Sequence, residues 1–274
     1  QFTIVATFLQ VYSLTHSTVA VGLIGLVGFL ALVAGTLAGG TFLDAFDRRK
    51  ILITAQVGYL ASSGLLFAGA VHGDPPLALI YVAVAGIAAT SAIDSPTRSA
   101  MTPRLLDKSQ LPAAAALNQI IWNGAGLIGP ALAGVVVATL GFSWAYAIDL
   151  ISIGLLLLAS ISIRPMPPTQ GERTAVGWRA VREGFAFLRG RQVLQSTFVI
   201  DIIAMVFGMP RALFPVLALM QFHRGATVAG LLFAAPAVGA FVGAATSGWV
   251  GRIRHQGLAV IWAVVVSSGT TRVT

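Results

Sequence analysis

Three ionisable residues lie inside long apolar stretches of the sequence: Asp149, Asp201 and Arg211. Charged groups in such surroundings are rare, and they are candidates for proton transfer or substrate binding. Asp201 is the best candidate for a proton or cation site, with a hydrogen bond to a neighbouring helix as an equal alternative. Ten residues separate Asp201 from Arg211, about 15 Å along a helix, so the two do not pair directly.

The other two charges have competing interpretations. Asp149 falls near one end of its apolar stretch, where solvation by interfacial water is the simpler prediction. Arg211 either attracts an anionic substrate or extends its guanidinium toward the interface. A polar cluster with Asn118 and Asn123 either lines a cavity or bonds neighbouring helices.

A second group of charges lies at the ends of apolar stretches. Asp44 is followed one turn later by Arg48 and Arg49, and Asp94 stands four residues before Arg98. Residues four apart are neighbours on a helix. We expect no enzymatic, metal or cofactor chemistry, because no Gly-x-x-x-x-Gly-Lys phosphate loop, no Gly-x-Ser-x-Gly elbow, no cysteine and no clustered histidines occur in the sequence.

The amino-acid composition indicates that the protein is surrounded by lipid rather than by water. Hydrophobic residues make up 57% of the 274 residues and charged residues 9%, against about 25% charged in soluble domains. So little polar surface cannot cover so large an apolar core in water, whereas lipid removes the conflict. An all-α, multi-pass membrane protein is therefore predicted.

Apolar runs divide the chain into nine predicted helical segments. They cover about 2–12, 19–43, 51–71, 77–93, 112–140, 144–163, 193–220 and 228–250, and a ninth begins near 258. A polar loop is expected between 93 and 110. Because the first and ninth segments are short, we interpret the chain as a fragment of a longer membrane protein.

Positive charge alternates between the predicted loops. One side carries fourteen of the 17 Lys and Arg residues, which by the positive-inside rule is the cytoplasmic side of the inner (plasma) membrane. This placement also explains the pI near 11.0, because the charge orients the protein and meets anionic lipid. Nucleic-acid binding is not expected.

An internal repeat divides the chain into two halves. At a constant offset of 208 residues, glycines of the second and eighth segments coincide: Gly22 with Gly230, Gly35 with Gly243, and Gly40 with Gly248. Two parallel repeats are typical of secondary transporters. The predicted domains are 1–163, a cytoplasmic linker at 164–192 with an amphipathic helix, and 193–274. That helix either lies on the membrane surface or packs on the loops.

Two motifs resemble the major facilitator superfamily. Residues 40–49, from Gly40 through Asp44 to Arg48 and Arg49, are similar to its loop pattern Gly-x-x-x-Asp-x-x-Gly-Arg-Arg/Lys, with Asp47 where the second glycine usually stands. An aspartate tolerates tight turns. Gly129, Pro130 and Gly134 resemble the antiporter motif of drug and metabolite exporters, and a kink with small packing residues is the alternative.

The resemblance implies a bundle of two six-helix halves, of which this chain holds helices one to nine. The sequence looks closest to the branch that includes enterobactin and macrolide exporters. The resemblance implies alternating access, with proton-coupled export of small amphipathic molecules, and with substrate, membrane lipids and protons as partners. It also implies a cytoplasmic latch in which Asp44 holds the other half and Arg48 pairs with Asp94. The simpler alternative for these charges is membrane topology alone.

Two other functions stay open at the level of sequence. One is a multi-span membrane enzyme that acts on lipids, which would need catalytic groups that converge at one interface. The other is an inactive truncated transporter, because six helices and part of a second half do not complete a pore with two halves.

Overall fold

The computed structural model describes residues 1–167, 182, 186–192, 194–197, 199–200, 211–221 and 225–246. Within these ranges, the side chains of 39–45, 212, 220–221 and 244–246 are outside the description. The predicted ninth segment, Asp201 and most of the predicted linker helix also lie outside the described residues.

Seven helices form the described part of the chain. They are α1 (Phe2–Thr15), α2 (Thr18–Ala45), α3 (Arg48–Val71), α4 (Leu77–Leu105), α5 (Leu111–Leu140), α6 (Phe142–Ile161) and α7 (Ala226–Thr246), the last being the predicted eighth segment. An irregular helical stretch precedes α7, with a 3-10 turn (Arg211–Leu213), one α-helical turn (Phe214–Val216) and a π-helical turn (Leu217–Gln221).

Six of these helices, α2 to α7, are long and apolar enough to cross a membrane. Even α6, with 20 residues, reaches about 30 Å, the thickness of the hydrocarbon layer. Large apolar side chains point outward from them, among them Val19 (74% exposed), Ile120 (68%) and Phe241 (68%). Such surfaces are stable in lipid and not in water, and the predicted membrane protein is confirmed.

The predicted end of the fourth segment is wrong. Where a polar loop was expected after residue 93, α4 continues to Leu105, through Pro96 and Pro103. The Thr97 hydroxyl donates to the Ile93 carbonyl at 2.6 Å. An ion pair between two residues four positions apart, described below, supports the same turn of the helix. The polar residues of this stretch thus extend a helix beyond the apolar layer.

Short turns place successive helices antiparallel. His16 ends α1 in the left-handed region (φ 50°, ψ 25°), and its N–H donates to the Tyr12 carbonyl at 2.8 Å. Gly141 joins α5 to α6 with φ 89°, a conformation that glycine adopts without a Cβ penalty.

The bundle is organised around α1. Val5, Ala6 and Val11 of this helix are fully buried, and α1 contacts α2, α5 and α6. Around it, α2 packs along α4, α3 lies between α4 and α6, and α5 packs along α7. The α5–α7 pair therefore joins the two predicted halves.

Candidate functional site

The turn between α2 and α3 is built on Asp47, the residue that departs from the family's glycine. Its backbone is unstrained (φ −58°, ψ 125°), and its carboxylate accepts a hydrogen bond from the Arg49 N–H at 2.8 Å. Aspartate is a preferred N-cap, and its charge also complements the positive end of the helix dipole. The position therefore requires no glycine, and the substitution supplies a cap that glycine lacks.

The two arginines after Asp47 bind the ends of other helices. Arg48 Nη1 donates to the Ala100 carbonyl of α4 at 2.8 Å, and Arg49 Nη2 donates to the Ile161 carbonyl at the end of α6. The Ile161 carbonyl lies at the end of its helix, where carbonyls lack internal partners and carry the negative end of the dipole, so the Arg49 guanidinium stabilises it. The hairpin thereby ties α3 to α4 and α6 on one face of the bundle.

Asp94 and Arg98 form an ion pair on α4, with 2.7 Å between Arg98 Nε and Asp94 Oδ2. The Asp94 side chain is 13% exposed and Arg98 39%, and the second carboxylate oxygen of Asp94 is buried without a hydrogen-bond partner. The implied Arg48–Asp94 pair is not formed in this conformation, since Arg48 bonds Ala100 instead. Gly40 and Asp44 lie in the last turns of α2, with their side chains outside the description, so the Asp44 latch stays a prediction.

The chain that leaves α6 packs against α3 and α4, next to the turn that contains Asp47. Met166 is 9% exposed and packs with Leu52 of α3, Met101 of α4 and Ile163. Arg104 Nη1 donates to the Pro167 carbonyl at 3.3 Å. The start of the predicted linker is thus held against the first half.

The motif on α5 lies where α5 crosses α7. A Cβ added to Gly134 would lie 2.6 Å from the Ala226 carbonyl oxygen and 2.8 Å from Gly230 Cα, and one added to Gly230 would lie 2.5 Å from the Pro130 carbonyl oxygen. Real Cβ atoms do not approach so closely, so both glycines are required for the two backbones to touch. Gly129, one turn earlier, is covered by the Gln1 side chain at 2.7 Å from its added Cβ.

A cavity of about 600 Å³ opens between α1, α2, α4 and the irregular stretch before α7. Most of the described lining residues are apolar or glycine, and the exposed residue Arg211 is part of the lining. Lining residues include Phe8, Gly22, Gly25, Phe29, Ala88 and Ser91. The cavity therefore offers apolar contact and one positive charge to a ligand.

Asp149, for which solvation at the interface is the sequence-based prediction, also forms a hydrogen bond to a neighbouring helix. It lies in the spanning helix α6, and its Oδ2 accepts a hydrogen bond from the Ser63 hydroxyl of α3 at 2.7 Å. Its side chain belongs to a half-buried residue. The carboxylate is therefore placed between two helices of membrane-spanning length.

The remaining predicted polar cluster is on the surface. Asn118 and Asn123 are exposed on α5, and Gln119 donates to Asn123 at 3.1 Å within the helix. The structure does not bring them to the cavity that contains Arg211. A second cavity of about 540 Å³ lies along the α5–α7 seam, and its lining is apolar apart from Thr227.

Sequence reasoning missed several contacts. Gln10 and Tyr146 are buried and joined at 2.7 Å between α1 and α6, and Gln56 donates to Ser160 at 2.7 Å between α3 and α6. These polar groups stand inside apolar segments, which is the signal that predicts an interhelical bond. No signal in the sequence specifies which partner each would find.

Comparison with known proteins gives a single family. Residues 3–270 match the family model described as a transmembrane secretion effector. Among similar proteins are the enterobactin exporters EntS of Citrobacter koseri (28% identical over 267 residues) and Salmonella typhi (28% over 269 residues), each aligned over 96% of this chain. EntS of Escherichia coli O139:H28 is 27% identical over 94% of the chain.

The chain spans 63% of the length of the first two relatives and 61% of the third. The matched region runs through both motifs, the hairpin on Asp47 and the α5 crossing. It is a helical, multi-pass membrane chain with exporters as relatives. The chain belongs to the transmembrane secretion effector family of the major facilitator superfamily.

Proposed function

We propose that the protein is a secondary active transporter that works by alternating access and exports small amphipathic molecules in exchange for protons. The observation that carries this proposal is the cavity of about 600 Å³ with Arg211 in its lining. Its volume suits a drug-sized molecule. The relatives, which are named enterobactin exporters, support export as the direction and a siderophore-like or drug-like molecule as the cargo.

The lining of the cavity supports an amphipathic substrate with a negative group. Apolar walls such as Phe8 and Phe29 bury the non-polar part of a ligand, while Arg211 meets an anion. A guanidinium is always charged and can bind a carboxylate or phenolate with two hydrogen bonds. Membrane lipids are the surrounding partner.

Asp149 supports coupling to protons. A carboxylate within the apolar layer can be driven between its charged and neutral forms by a change of surroundings. Its bond to Ser63 joins α3 to α6, so a relative movement of these helices would change the contacts of the Asp149 carboxylate. Asp201 is a second candidate for the same role and lies outside the described residues.

The proposal includes an orientation and a latch. The hairpin of Arg48, Arg49 and Lys50 and the basic linker face the cytoplasm of a cell whose inner (plasma) membrane holds the protein. Asp44, at the end of α2, holds the other half when the protein faces outward. Transport by correctly inserted Asp44→Asn tests the latch, and unchanged turnover would contradict it.

Flux measurements test the proposed function. The full-length protein is reconstituted in vesicles, and uptake of an amphipathic anionic dye into the lumen is followed with and without an imposed pH gradient. We expect net uptake only with the gradient, and proton movement in the opposite direction. Flux that ignores the gradient would contradict antiport. Recovery of chemically altered lipid, with no flux, would favour the membrane enzyme instead.

A further inference from the structure

The carboxylate of Asp47 has two partners, and only one of them belongs to its own helix. Asp47 Oδ1 accepts from the Arg49 N–H at 2.8 Å and also from the Met166 N–H at 3.2 Å. The next backbone group completes the contact, because the Arg48 N–H donates to the Met166 carbonyl at 3.2 Å. Both main-chain groups of Met166 are therefore bonded to the α2–α3 hairpin.

Packing reinforces these bonds. The Met166 side chain is buried with Leu52 and Met101, and the next carbonyl, of Pro167, accepts from Arg104. The residues that follow α6 are therefore fixed to both α3 and α4. A glycine at position 47 would keep the Arg48 bond and would remove the acceptor for Met166 and for Arg49.

We propose that Asp47 is a positioning residue that fastens the start of the linker to the cytoplasmic ends of α3 and α4. The fastened linker then begins at Pro167, and movement of these helix ends is transmitted directly to the second half. Without the fastening, residues 162–167 are no longer held against α3 and α4, and a longer connection that is not held couples its ends more weakly. The inference rests on the proposed transport function for its consequence, and on the Asp47 contacts alone for the fastening.

The absence of cysteine from the sequence permits a direct test of the fastening. Met166→Cys is introduced alone into the full-length protein and labelled with a water-soluble maleimide from the cytoplasmic side. We expect slow labelling in this parent and with Asp47→Asn, whose amide oxygen can accept the same hydrogen bonds. Asp47→Gly should label about two- to tenfold faster, the scale expected for loss of the hydrogen bond that the Met166 N–H donates. Equal labelling in all three proteins would overturn the fastening.

A covalent substitute separates fastening from simple capping of α3. In Asp47→Gly, transport should fall several-fold, and a disulfide between Leu52→Cys and Met166→Cys should restore it on oxidation. The same protein with Met166→Cys alone is the control, and it should gain nothing from oxidant. If Asp47 acted only as a cap, the disulfide would restore nothing, which would overturn the coupling. Unchanged transport by Asp47→Gly despite faster labelling would overturn it as well.

The labelling assay does not depend on transport. The proposed transport function and the proposed fastening of Met166 can therefore be refuted independently of each other. If the parent protein shows no flux, the proposed function is wrong, and the labelling rates still decide whether Asp47 holds Met166. If flux is normal and labelling is insensitive to Asp47, the transporter stands and the fastening is wrong.

Discussion

Gly134 and Gly230 touch through their backbones where α5 crosses α7. A methyl group on Gly134 would lie 2.8 Å from Gly230 Cα, and one on Gly230 would lie 2.8 Å from Gly134 Cα. The contact is therefore reciprocal, and neither side has a flexible side chain that could yield. It joins the motif on α5 to α7, the helix in which the sequence predicts the second copy of the repeat.

Alanine at either glycine should separate the two helices. We expect Gly134→Ala and Gly230→Ala each to cost about 1–3 kcal/mol, the usual penalty of overpacking, seen as a lower midpoint of thermal unfolding in detergent. Gly124→Ala on α5 and Gly239→Ala on α7 are matched controls, since nothing lies within 4 Å of a Cβ at either position. The controls should be neutral or slightly stabilising. Equal effects in all four proteins would contradict the contact.

The Asp94–Arg98 pair should respond unequally to loss of either partner. Arg98→Gln leaves a carboxylate that is only 13% exposed, and with one oxygen already unpartnered, so we expect a cost of about 1–3 kcal/mol. Asp94→Asn leaves an arginine that is 39% exposed and can reach water, and should cost less than about 1 kcal/mol. Unfolding midpoints of the two variants measure the difference. The reverse order would show that the carboxylate is solvated.

Asp149→Asn should separate proton coupling from folding. The amide retains an acceptor for the Ser63 hydroxyl and cannot ionise. The free energy of unfolding should therefore stay within about 1 kcal/mol of that of the parent. Gradient-driven flux should fall at least about tenfold, while exchange of substrate without a gradient persists. Asp107→Asn, in the turn between α4 and α5, is the control. Gradient-driven flux equal to that of the parent would exclude Asp149 as the coupling residue.

Arg211 should select for negative charge in the substrate. Arg211→Gln removes the guanidinium from the cavity lining and should weaken binding of an amphipathic anion by about tenfold or more, while a neutral analogue of the same size binds unchanged. Arg211→Lys should recover part of the affinity. Lys108→Gln, outside that cavity lining, serves as the control for net charge. Equal loss for charged and neutral ligands would assign Arg211 a structural role.

The spans were predictable because apolar length decides them. The predicted second segment, 19–43, and the helix Thr18–Ala45 agree closely, since few polar residues interrupt it. The end of α4 was not predictable in the same way. Its last twelve residues are polar enough to suggest a loop, and the ion pair between Asp94 and Arg98 that supports the helix there depends on their spacing of four residues.

Candidate sites were predictable by type and not by partner. An aspartate before Arg-Arg-Lys and an apolar run is a signal for an N-cap, so the cap at Asp47 was accessible from the sequence. Its second partner, Met166, is 119 positions away, and only tertiary packing brings it there. The same holds for Asp149, for which the sequence predicted solvation and the fold supplies Ser63.

The distance in sequence between Asp47 and Met166 has a consequence for biogenesis. The turn that contains Asp47 leaves the ribosome before α4, α5 and α6 are synthesised. The hydrogen bond from the Met166 N–H to the Asp47 carboxylate can therefore form only after the residues that follow α6 have emerged. Closing that bond is then a late event, because it needs α4, α5 and α6 to be in place. A helix inserted in the wrong direction would leave Met166 on the far side of the membrane, and the bond could not form.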